Sequence, residues 1–173
     1  MADAMRQACS WGRHPAAAWS CVPSDRAAVE QRAQDAGLIL SSPSRARDYA
    51  ETRSVIDDWL AIVDAPSDRE RAGLLNEQMA KAAAYPRLVD HGDEEGWHLH
   101  YRDDRQSLPQ VLRSVICVGT ALHLTTRGMH RLRRCEAAPC TNVVVDTTRN
   151  GRQRYCSVRC ANRAAVRRHR ERR

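Results

Sequence analysis

The sequence predicts a mainly α fold with a small β-hairpin: a helical N-terminal domain followed by a C-terminal module built on four cysteines. Three observations carry this. Apolar residues recur at helical spacing through much of residues 43–128. Cys135, Cys140, Cys156 and Cys160 form two close pairs with fifteen residues between them. That interval holds a β-branched run, Val143-Val144-Val145, and a hairpin signal, Asn150-Gly151.

Residues 1–42 are poorly patterned and are expected to be partly disordered before about residue 24. Trp11 and Trp19 read as packing anchors, and the polar run from Ser24 to Asp35 as an exposed helix ended by Gly37. Residues 44–64 read as an amphipathic helix with Tyr49, Thr52, Ile56, Trp59, Leu60 and Val63 on one stripe. Ala65-Pro66 ends it, and Ser67-Asp-Arg-Glu70 opens the next helix as a capping box. That helix places Leu74, Leu75, Met79 and Ala82 inward.

Residues 86–90 and 97–101 read as two short strands. In the second, Trp97, Leu99 and Tyr101 alternate with His98 and His100, which predicts an apolar inner face and a histidine solvent face. Ser107-Leu-Pro-Gln110 opens a third helix, apolar over much of its circumference from Val111 to Leu124 and C-capped by Gly128. Cys117 lies in it as a core residue. With almost no linker before Cys135, the cysteine module is expected to be closely coupled to the helical domain. The predicted organisation is therefore 1–42, a helical domain with a short hairpin over 43–128, and the module with a basic C-terminal helix over 129–173.

A tetrahedral zinc site needs four soft ligands about 2.3 Å from the ion. Cys135 and Cys140 can reach one ion from a turn stiffened by Pro139. Cys156 and Cys160, four apart, share one face of a helix that Ser157 would cap. With all four positions filled by cysteine, the site is expected to hold one structural Zn2+ and to leave no catalytic position. Seven cysteines and no secretory segment argue against a disulfide framework. An iron–sulfur cluster would also accept four cysteines, but two short pairs around a hairpin-sized loop suit a small zinc module better. Arg152–Tyr155 is predicted to return as the partner strand of Val143–Val145. The result is a knuckle, a hairpin and a helix: a treble-clef-like four-cysteine zinc finger.

Charge is unevenly placed. Residues 127–173 hold fourteen arginines and three acids, a net +11, while the other 126 residues carry −4. Arg159, Arg163, Arg167 and Arg170 fall four, four and three apart, on one face of the last helix, and Arg168 adds to it. Such a face suits a nucleic-acid backbone.

Cys135 and Cys140, Asp146-Thr-Thr-Arg-Asn150, Arg154-Tyr-Cys-Ser157 and Cys160-Ala-Asn-Arg163 together resemble the CGNR zinc-finger family, bacterial proteins regarded as transcription regulators. The resemblance covers about residues 129–170. Ala161 stands where the family's signature has glycine. The family usually carries a helical, stress-induced regulator-like N-terminal domain, which residues 44–128 resemble less sharply. Its usual motif around an Asp and an Asn-Thr pair is not seen in residues 1–40.

Taken together, these features predict a zinc-dependent DNA-binding transcriptional regulator. Its helical domain would dimerise or sense a small-molecule or stress signal. The alternative is a zinc-stabilised protein–protein module with a basic tail. An enzyme is not expected: no nucleophile–base motif or phosphate loop stands out. No run of eighteen apolar residues suggests a membrane span, and the absence of a long apolar leader points to the cytoplasm.

Overall fold

The computed structural model describes residues 25–35, 38, 45–90, 92, 96–103 and 105–172. Trp11, Trp19, Cys9, Cys21 and the disorder expected before residue 24 lie outside the described residues, as does Gly37. The described chain runs α1 (Arg26–Asp35), α2 (Ala46–Asp64), α3 (Asp68–Ala82), β1 (Arg87–Val89), β2 (His98–His100), α4 (Leu108–Arg127), a 3-10 turn (Met129–Arg131), β3 (Leu132–Arg134), β4 (Val143–Val145) and α5 (Val158–Arg170).

Local chemistry sets the helix ends. The backbone N–H of Arg45 donates to Asp48 Oδ2 at 2.8 Å ahead of α2. Ser67 Oγ accepts from Glu70 N at 3.2 Å ahead of α3. Ser107 N donates to Gln110 Oε1 at 3.1 Å ahead of α4. Each satisfies an N-terminal donor that the helix leaves open. Gly128 ends α4 with φ +104°, its N–H on Leu124 O at 2.8 Å.

The core lies where α4 packs against α2 and α3. Trp59, Ile56, Ile62, Leu112 and Ile116 are fully buried there. Trp59 Nε1 donates to Thr120 Oγ1 at 3.1 Å, so the largest apolar side chain also satisfies its one polar atom. Val55 and Ile62 extend the predicted stripe of α2, while Tyr49 and Leu60 sit at its half-buried edges. Cys117 is buried as expected, and burial pushes its thiol up to about 12.

Two details differ from the sequence expectation. The α1 segment is not simply an exposed helix: Val29 and Ala33 are buried and join the α2 core. In the β1–β2 hairpin the alternation is present but its phase is reversed. Leu88, Trp97 and Leu99 are exposed, while His98 and His100 are half-buried with Nε2 atoms 3.1 Å apart; Tyr101, expected inward with Trp97 and Leu99, is half-buried beyond the strand's end. Alternation defines two faces without saying which turns inward. Here the hairpin is tied down at Tyr101 O, which accepts from Ala84 N and Ser114 Oγ.

The C-terminal module shares its core with the helices. In β4, Val143 and Val145 belong to the helical core, whereas Val144 packs among the cysteines. One strand is thus a wall common to both, its period of two dividing the side chains between them. Leu132 of β3 joins the helical side. Two arginines fasten the junction. Arg71, buried in α3, donates to Ile62 O (3.1 Å), Val63 O (3.0 Å) and Met129 O (2.6 Å). Two of those are carbonyls from the last turn of α2. Arg134 grips Asp64 through both carboxylate oxygens at 2.8 and 2.6 Å, holding that carboxyl below its ordinary range.

Arg71→Met keeps the stem and removes the donors to three carbonyls. It is expected to cost about 2–4 kcal/mol in urea unfolding. A loss too small to measure would mean that Arg71 is not a structural clamp.

Candidate metal centre

β3 and β4 are antiparallel, with Leu132 opposite Val145 and Arg134 opposite Val143. Cys135 and Cys140 sit in the tight loop that joins them. Cys135 N donates to Asn142 O and Cys140 N to Ala137 O, both at 2.8 Å, so the loop's own backbone fixes both positions. The second pair brackets the start of α5: Cys156 lies just before the cap residue, outside the helix, and Cys160 in the first turn, so the two do not share a helix face as the spacing suggests. Ser157 Oγ accepts from Cys160 N at 3.2 Å and caps the helix, as the sequence suggests.

The four sulfurs lie within 4.8 Å of one another, and no other His, Cys, Asp or Glu cluster of three or more among the described residues does the same. Cys140 and Cys156 Sγ are 3.7 Å apart, Cys156 and Cys160 Sγ 3.6 Å. A tetrahedron with 2.3 Å zinc–sulfur bonds has edges of about 3.8 Å, so the set fits Zn2+ closely. None of the four is in a disulfide. Four protein ligands leave no place for water or substrate, and the ion's role is to hold the finger together.

The surroundings suit thiolates. Cys156 N donates to Cys135 Sγ at 3.4 Å, and Arg163 Nη2 lies 3.3 Å from Cys160 Sγ. The two helix-side thiols differ in their tuning: burial pushes Cys156 up to about 12, while the Ser157 hydroxyl lowers Cys160 to about 7. Around them, among the described residues, the buried apolar partners of this cluster are Ala137, Val144 and Ala164. So small a core cannot fold the finger alone, and metal binding supplies much of its folding free energy.

The predicted hairpin is a correction. Val143–Val145 is a strand, but its partner is Leu132–Arg134, not Arg152–Tyr155. The turn at Asn150-Gly151 does form, with Gly151 at φ +66°. That left-handed backbone favours glycine, and a Cβ there would also push on the Arg131 guanidinium, 2.8 Å away. The returning segment finds side-chain partners instead of a ladder. Asp146 Oδ2 accepts from Gln153 N at 2.9 Å, and Arg133 Nε donates to Gln153 O at 3.0 Å.

Asp146 is the hub of this loop. Its fully buried carboxylate also accepts from Thr148 N (2.9 Å) and Thr148 Oγ1 (2.5 Å) and pairs with Arg133 and Arg131. Burial raises its pKa, but these hydrogen bonds and Arg131 outweigh it and hold the carboxyl below its ordinary value. An Asp bonding the backbone two residues on is an Asx-turn signal, the one cue in the sequence to its role.

The predicted arginine stripe divides in the structure. Arg163 turns inward, donating to Ala137 O at 3.1 Å beside its contact with Cys160. Arg168 Nη1 donates to the Tyr155 hydroxyl at 2.7 Å, and Arg167 pairs loosely with Glu171 at 3.6 Å. Arg159 and Arg170 are exposed and have no partner among the described residues. The same holds for Arg149, Arg152 and Arg172, which the stripe did not include.

Residues 131–173 match the family model described as CGNR zinc finger. The match begins at β3 and takes in both cysteine pairs and α5, as the resemblance implied. No curated protein matches the chain.

Asp146→Asn should destabilise the zinc-loaded protein by about 2–3 kcal/mol through its lost charge and mismatched donors. The folded pKa is lowered, so the carboxylate's contribution is complete above the unfolded value of about 3.9 and fades only as pH falls below it. The difference from wild type should thus stay constant between about pH 8 and 6. A difference that grows as pH falls across that interval would show that burial, holding the folded pKa above the unfolded value, governs this group.

Proposed function

We propose that this protein is a zinc-dependent DNA-binding protein of the cytoplasm that regulates transcription, with α5 as its DNA-facing element. The supporting observation is the set of exposed arginines without partners among the described residues: Arg159 and Arg170 on α5, Arg172 just past it, Arg152 across the groove beside it, and Arg149 in the preceding turn. Arg168 is in no ion pair among the described residues either, its partner being the Tyr155 hydroxyl. A cationic surface of this density favours a polyanion, and guanidinium groups suit phosphate oxygens. The closed cysteine site argues for a binding role over catalysis.

In this reading the ion works indirectly. It fixes Cys156 and Cys160, and so the first turn of α5, to the β3–β4 loop. The helical domain would contribute a homodimer contact, for which the exposed face of Tyr85, Leu88, Trp97 and Leu99 is suited. No helix among the described residues is long and apolar enough to cross a membrane.

Zinc-loaded protein should retard duplex DNA in a mobility-shift titration, and chelated protein should not. Log affinity should fall linearly with log salt, by about 0.9 for each phosphate neutralised. Combined Arg159→Ala and Arg170→Ala should make that slope shallower by about two units while metal content stays at one zinc per chain. Binding that survives chelation, or a flat salt titration, would rule the reading out.

A further inference from the structure

Helix α5 touches the rest of the finger through a narrow seam, with only Cys160 and Ala164 buried. From Ala165 to Arg172 every residue is exposed. The second half of the helix therefore lies at the surface, tied to the body through Arg168 and the Tyr155 hydroxyl. At 100° per residue, the face opposite the seam carries Val158, Asn162, Val166 and His169. All four are exposed, Val158 at 76% and Val166 at 52%.

This strip contains no acid and is bordered by cations on both sides. Arg159 and Arg170 lie along one flank. On the other, a shallow groove runs between Arg152–Tyr155 and the first turns of α5, with Val158 and Ala161 in its wall. Arg152 and Arg154 stand across it, though Arg154 is paired with Glu136 and only Arg152 is unengaged. A helix built only to neutralise phosphates gains nothing from two exposed valines and an amide between its arginines.

Resting on the proposed DNA-binding function, we infer that α5 reads base edges in the major groove, with Asn162 recognising an adenine and Val158 and Val166 meeting thymine methyls. A helix 10–12 Å across fits a groove about 12 Å wide. The flanking arginines would then face the two phosphate backbones that border the groove. The carboxamide of Asn162 can accept from adenine N6 and donate to N7, a pairing that no other base offers in the same form. Arg159 and Arg170 would supply affinity without sequence preference, and Asn162 preference with little affinity of its own.

The test uses the zinc-loaded full chain and duplexes with a random central core. Selected sequences are expected to share an A·T pair. Replacing that pair by G·C should weaken wild-type binding about 5- to 150-fold. Asn162→Ala, with zinc content unchanged, should bind both duplexes as weakly as wild type binds the G·C form. Combined Arg159→Ala and Arg170→Ala should weaken both duplexes equally and keep the ratio. Binding without enrichment of any sequence, or an Asn162→Ala loss shared equally by both duplexes, would overturn this inference and leave the proposed function standing. Failure of the zinc-loaded protein to bind any duplex would overturn both.

Discussion

Four cysteine sulfurs held within 4.8 Å of one another constrain everything around them. As thiolates they would repel at that distance, and as thiols they would be poorly satisfied hydrogen-bonding groups. A dipositive ion at their centre resolves both difficulties and adds bonds that a core of a few small residues cannot supply. The neighbouring groups fit the same requirement. A backbone N–H is aimed at Cys135, and the Arg163 guanidinium rests against Cys160. The finger's geometry thus depends on metal ligation at one point together with the area its strands bury against the helices.

That point is not isolated from the rest of the protein. β4 gives Val144 to the cysteine cluster and Val143 and Val145 to the helical core. Arg71 ties the end of α2 to the entry of the finger, and Arg134 ties β3 to Asp64. The helical part therefore presents the finger in a fixed attitude, not as a bead on a linker. α5 then leaves the metal site by a narrow seam and runs along the surface, tied back by Arg168 to the Tyr155 hydroxyl. Its accessible surface is mostly what a groove-binding helix would need, which is the physical basis of the proposed DNA face.

The metal site was legible from the sequence because ligand geometry is local: two short spacings and a capped helix start suffice to bring four sulfurs together. The caps at Ser67, Ser107 and Ser157 were legible for the same reason. What could not be read depends on partners distant in the chain. Nothing in Val143–Val145 says that it prefers Leu132–Arg134 to Arg152–Tyr155, because the decision rests on Asp146 and Arg133 taking the polar groups of Gln153. Nor does regular arginine spacing reveal that Arg163 is drawn onto Ala137 and Cys160 while Arg159 and Arg170 stay unpaired. The phase of the His98–His100 strand escaped for a similar reason, since alternation is symmetric until the hairpin is anchored.

The account rests most heavily on the ion and its four sulfur ligands. X-ray absorption at the zinc edge, on protein purified without added metal chelator, tests this directly. The expected result is one zinc per chain with a single shell of four sulfurs at about 2.3 Å. A shell containing nitrogen or oxygen, or fewer than four sulfurs, would contradict a closed structural site and the finger geometry that depends on it.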